Sequence, residues 1–153
     1  MANTYHQILV QTVFPLKYWK ANLEKAWRDK LFLVIGNLIN ETGCHSIIIN
    51  GVEDHVHCFF GLKPSVSVSE VMKNAKSKSS KWINESGFLD HHFEWQPGFG
   101  AFSYNRSQVK KVFNYIANQE NHHQNQSFFD EYIEFLSKFD IDYDDKYLFS
   151  KLI

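Results

Sequence analysis

Cysteine, proline and glycine are all scarce in this chain: two, three and seven residues respectively among 153. Two cysteines, Cys44 and Cys58, are too few for a disulfide framework or a thiolate zinc site, and their apolar neighbours suit buried thiols. So little proline and glycine, with 44% hydrophobic and 16% aromatic residues, excludes a disordered or fibrous chain. No apolar run approaches the ~20 residues that cross a bilayer. The opening MANTYHQILVQTVF also lacks the basic segment and cleavage site of a secretory signal, so a cytoplasmic location is expected. Strong charge is missing too. The formal net charge is −1, with 13 of the 16 Lys and Arg against 10 of the 17 Asp and Glu in residues 1–128, which leaves an acidic end. A mildly basic body permits nucleic-acid binding without demanding it.

What is present fits one domain over residues 1–153, with 136–153 as an acidic tail. Residues 4–14 are rich in β-branched and aromatic side chains and read as a strand ended by Pro15. Apolar residues recur at three and four residue spacing from about 17 to 41, Trp19 among them, and Gly43 stops that helix. Two strands, 45–51 and 54–62, follow around an Asn50-Gly51 turn. Ser67 and Glu70 form a capping box for a helix to about Glu85, and a strand near 99–104 precedes a helix capped by Ser107. A short helix and the acidic tail complete the chain. The order predicts an α+β fold: an antiparallel sheet sandwiched by helices, in a ferredoxin-like two-layer or three-layer arrangement.

Within the strand containing DHVHCFF, His55 and His57 are two residues apart and project to the same face. Such a pair can share a divalent ion if a third ligand arrives from elsewhere, or it can be two buried, hydrogen-bonded imidazoles. Phe59 occupies the position of the third histidine in histidine-triad nucleotide hydrolases, and no second His-x-Ser/Thr motif exists for a two-histidine phosphoesterase. Downstream, Lys111, Tyr115 and Gln119 succeed one another at helical spacing, with His122 on the same side, off the apolar stripe of Val109, Val112, Phe113 and Ile116.

In that order, DHVH at 54–57, WQPGFGAFS at 95–103 and YIANQENHH at 115–123 resemble the single-tyrosine transposases of the insertion-sequence-200 type, members of the HUH endonuclease superfamily. The resemblance spans roughly residues 4–135. It implies that His55, His57 and Gln119 hold Mg²⁺ or Mn²⁺, that Tyr115 is the nucleophile, and that the product is a 5′-phosphotyrosine on single-stranded DNA with hairpin ends. It also implies a homodimer in which the Tyr115 helix is exchanged. His122 and His123 match a paired-histidine element to which no role is given. Lys73, Lys76, Lys78 and Lys81, with Lys111, are candidates for phosphate contacts, although a run of helical lysines also suits a solvated face. Two rivals remain: a non-cleaving hairpin-binding module of the same fold, and a replication- or relaxase-type nickase, against which the short chain argues.

Overall fold

A computed structural model describes residues 3–17, 23–144 and 148. The chain runs β1 (Leu9–Pro15), α1 (Lys25–Glu41), β2 (His45–Gly51), β3 (His55–Gly61), α2 (Val68–Ser86), β4 (Gly100–Tyr104), a 3₁₀ turn (Arg106–Gln108), α3 (Val109–Ala117), α4 (Gln119–His122) and α5 (Phe128–Lys138). The four strands form one sheet in the order β2-β3-β1-β4, every neighbouring pair antiparallel. β3 inserts between β1 and β2, the split arrangement of a ferredoxin-like fold.

Alternation along the strands divides the sheet into two apolar faces. Val10, Phe14, Val56, Cys58 and Phe60 face α1 and α2, where Trp27, Leu31, Ile35, Ile39, Val71, Met72, Ala75 and Ile83 close the larger core. On the other face Leu9 and Phe59 meet Val112 and Ile116 of α3, while Val13 and Phe102 meet Phe128, Phe135 and Leu136 of α5. The molecule is therefore a three-layer sandwich, and the histidines of β3 point into its second layer.

Local chemistry sets the element ends. Ser67 accepts the Glu70 amide at 3.1 Å and starts α2, as its capping box predicts, and Gly87 at φ 72° ends it. The α3 segment starts earlier than Ser107 suggests, because Asn105 and Gln108 form a reciprocal capping box on the 3₁₀ turn. The first strand is also shorter than expected, starting at Leu9, where pairing to Gly61 and Tyr104 begins. Trp19 lies outside the described residues. At the β2–β3 turn Gly51 is required by close approach: a Cβ there would lie 2.2 Å from the carbonyl oxygen of His55. Any side chain at 51 would push on the backbone that carries the first histidine.

Candidate active site

β3 delivers His55 and His57 to a buried cluster, each 0% exposed. In the register, Val13 lies opposite His57 and Gln11 opposite Phe59 on β1, so Gln11 shares the histidine face. Its side-chain amide lies 2.9 Å from His57 Nδ1, and Tyr104 of β4 donates its hydroxyl to Gln11 Oε1 at 2.7 Å. Asp54 Oδ1 sits 2.6 Å from His55 Nδ1. His55 Nδ1–H donates to Asp54, which leaves its Nε2 free as a ligand atom, whereas the Gln11 amide donates to His57 Nδ1. Both Nε2 atoms face the same interior point, and His57 can ligate through its own once the Gln11 amide turns its oxygen to Nδ1–H.

The segment after α3 brings the remaining groups. The helix breaks at Asn118 and resumes at Gln119, so the continuous helix implied by the Tyr115-to-His122 spacing is two pieces. Asn50 of β2 donates to the Ile116 carbonyl at 2.9 Å and pins the end of α3 to the sheet. Arg28 of α1 pairs with Glu120 at 2.7 Å and fixes α4. Gln119 is thereby buried, its Oε1 3.1 Å from His55 Nε2. Tyr115 lies beside them in the same chain, its ring centroid 6.1 Å from that of His57, and it packs partly into the apolar contacts of α3 and α5. Its hydroxyl is 3.1 Å from His122 Nε2.

Two side chains complete the cluster without a role assigned from sequence. Glu131 of α5 is 2% exposed, with Oε1 3.2 Å from His55 Nε2, 3.1 Å from His57 Nε2 and 2.9 Å from His123 Nε2. Its Oε2 accepts the Tyr115 hydroxyl and the Gln119 amide. The ligand atoms of His55, His57, His123 and Glu131 all lie within 4.8 Å of one another. A signal for Glu131 existed: it follows Phe128 by three residues and precedes Phe135 by four, so a carboxylate occupies the apolar stripe of an amphipathic helix. Gln11 likewise alternates with Leu9 and Val13 on the inward face of β1.

Electrostatics in the metal-free site follow from burial and these contacts. Burial pulls His55 down, but Asp54 and Glu131 outweigh it and hold the imidazole at about 9. For His57, burial prevails over Glu131 and the pKa falls below its ordinary value. Burial would raise Glu131, yet His57, His123 and His55 hold it well below the carboxylate range. Burial and the Glu131 charge together raise the Tyr115 phenol well above its ordinary value. The folded pKa of His55 exceeds its unfolded value, so its pairing with Asp54 stabilises the metal-free protein fully below pH ~6.5 and is lost as pH rises through about 9. The Asp54→Asn variant should thus be less stable than wild type by ~1–3 kcal/mol at pH 6.5. That gap should close by pH ~9.5 in urea denaturation of metal-free protein.

The candidate DNA-binding lysines divide. Lys111 lines a cavity of about 210 Å³ together with Gln11, Tyr104, Gln108, Tyr115 and Glu131. Lys73, Lys76, Lys78 and Lys81 belong to α2, in the layer across the sheet from the histidines. Lys73, Lys78 and Lys81 are exposed, with Lys78 3.1 Å from Glu41 and Lys81 3.9 Å from Glu85. Lys76 instead turns inward over the Phe14 ring and donates to the carbonyls of Gln96 and Gly98, and burial lowers its pKa to about 8. It ties α2 to the WQPGFG loop. Lys76→Met should cost ~1–3 kcal/mol of stability, read from the urea midpoint, because two carbonyls lose a charged donor.

Among the described residues, no helix is long and apolar enough to cross a membrane. No curated protein matches the sequence. Solved structures do. A candidate transposase from Deinococcus radiodurans R1 superimposes with a TM-score of 0.61 at 17% identity, over 78% of this chain and 95% of that one. A tyrosine transposase associated with REP sequences, solved bound to a REP hairpin, superimposes with a TM-score of 0.59 at 16% identity, over 80% of this chain and 73% of that one. At such identities the likeness establishes the fold. The family itself comes from the sequence profile described as "Transposase IS200 like", which matches residues 4–119, from ahead of β1 to the first residue of α4. With that match over most of its length, on a sheet and helix arrangement shared with solved transposases, the chain belongs to the IS200-like transposase family.

Proposed function

We propose that this transposase cleaves and rejoins single-stranded DNA at hairpin-forming ends, with Tyr115 as nucleophile and a divalent cation, Mg²⁺ or Mn²⁺, held at His55, His57 and Gln119. The observation that carries the reading is the meeting of His55 Nε2 and His57 Nε2 at one buried point, with the Gln119 side-chain oxygen 3.1 Å from His55 Nε2 and the Tyr115 hydroxyl alongside. The donor chemistry suits the ion: inward-facing imidazole nitrogens, that of His55 oriented by Asp54, next to amide and carboxylate oxygens. A cation bound there would polarise a phosphate oxygen and supply positive charge beside the phenol.

The chain's own residues account for the rest. The Tyr115 oxygen attacks phosphorus, the phosphotyrosine bond forms, and the bond to the 3′ oxygen breaks to leave a 3′-hydroxyl. Because the bond energy is kept in the phosphotyrosine, the 3′-hydroxyl of another strand can displace Tyr115 without a further energy source. Tyr115 is held protonated in the metal-free site, and its proton has two acceptors in contact, Glu131 Oε2 and His122 Nε2. Lys111 is exposed and lines the same cavity as Tyr115, which supports a role in contacting the adjacent backbone phosphate. The reading includes a homodimer. Exchange of the Tyr115 helix is not needed for reach, since each chain's tyrosine contacts its own cluster. The non-cleaving alternative is disfavoured by a complete set of nucleophile and candidate ligands in contact.

The test incubates the full chain with Mn²⁺ and end-labelled single-stranded hairpin DNA and looks for a covalent adduct on a denaturing gel. Binding without adduct under Mg²⁺ and Mn²⁺ alike would replace this reading with that of a hairpin-binding module.

A further inference from the structure

We propose that Glu131 and His123 complete the metal site, so that α5, which lies beyond the family-matched residues 4–119, supplies its carboxylate ligand. The inference rests on the reading of His55 and His57 as metal ligands and changes the character of the site they form. Glu131 is 2% exposed, and one of its oxygens lies 2.9–3.2 Å from three separate imidazole nitrogens, with the four ligand atoms all within 4.8 Å of one another, close enough to share one cation. His123 has the same kind of outer support as His55: its Nδ1–H donates to the Gln126 carbonyl at 2.7 Å, so its Nε2 is the atom that faces inward. The nearest polar contacts of the buried carboxylate are histidines, Tyr115 and Gln119, and among the described residues it pairs with no Lys or Arg.

Three imidazoles and one carboxylate, with the Gln119 oxygen near, form a nitrogen-rich set. Mg²⁺ prefers oxygen ligands and keeps several waters, whereas Mn²⁺, Co²⁺ and Zn²⁺ accept imidazole readily. The site therefore selects a first-row transition metal over Mg²⁺. Because Glu131 Oε2 also holds the Tyr115 hydroxyl, the same side chain links the ion to the nucleophile.

Metal titration of the full chain without DNA tests this, by calorimetry with Mn²⁺, Zn²⁺ and Mg²⁺. Wild type should bind one Mn²⁺ or Zn²⁺ per chain at least ~10-fold more tightly than Mg²⁺, and Glu131→Gln and His123→Ala should each weaken Mn²⁺ by ~10-fold or more. X-ray absorption on the Zn²⁺-loaded wild type needs no variant and should count three imidazole nitrogens. Two imidazoles, or Mn²⁺ affinity unchanged in Glu131→Gln and His123→Ala but lost in His57→Ala, overturns the inference and leaves the metal reading intact. Wild type that binds no Mn²⁺ or Zn²⁺, or His57→Ala that binds like wild type, overturns both.

Discussion

Replacing Tyr115 with phenylalanine should abolish the covalent protein–DNA adduct, a loss on the order of 10³-fold or more, while leaving the fold and hairpin binding in place. The substitution removes one oxygen. Its ring contacts with His57, His122 and Phe135 persist, at centroid separations of 6.1, 4.9 and 5.8 Å, so packing of α3 against α5 changes little. What disappears is the hydrogen bond to Glu131 and the contact with His122 Nε2. Glu131 keeps its histidine partners, so no buried charge is stranded and thermal stability should move only slightly. A denaturing gel with labelled hairpin DNA and Mn²⁺ measures the adduct, and a mobility shift measures binding. Equal adduct yields in wild type and Tyr115→Phe would show that another group attacks.

Much of this arrangement is legible in the amino-acid sequence, and the parts that are not have physical causes. Period-two alternation placed His55 and His57 on one face of β3, and helical spacing put Gln119 near Tyr115; both are statements about local geometry. The order of elements gave the α+β sandwich, and ferredoxin-like strand order followed from β3 pairing with both β1 and β2. Local geometry could not say that α5 folds back across the histidine face. That depends on Phe128, Phe135 and Leu136 finding Val13 and Phe102, a contact between distant segments. Glu131 arrives at the cluster only as a consequence of that packing, and together with its neighbours Asp130 and Glu134 it looks like part of an ordinary acidic surface. The helix break at Asn118 was equally hidden, because the run YIANQENHH contains neither proline nor glycine. Lys76 is the converse case: it sits in a run of helical lysines, yet its ammonium serves the protein's own carbonyls.

His57→Ala carries the second large effect: cleavage should fall by ~10²-fold or more, with hairpin binding retained. The argument turns on separating a ligand from a structural histidine. His57 is fully buried between the Gln11 amide at 2.9 Å and Glu131 at 3.1 Å, so truncation leaves both with one partner fewer and opens a small cavity near Phe135. That should cost ~1–3 kcal/mol. It should not unfold the domain, because Gln11 keeps Tyr104, and Glu131 keeps His55, His123 and Tyr115. The strand itself is held on both sides, by β1 and by β2. His57→Gln offers the control, since its amide can still bond within the cluster and relieve part of the stability loss, while an amide replaces the imidazole nitrogen as donor. If the histidine is a ligand, stability recovers in His57→Gln and cleavage does not. If its role is structural, cleavage at a temperature well below each variant's midpoint should track the fraction folded, and both variants should cleave like wild type.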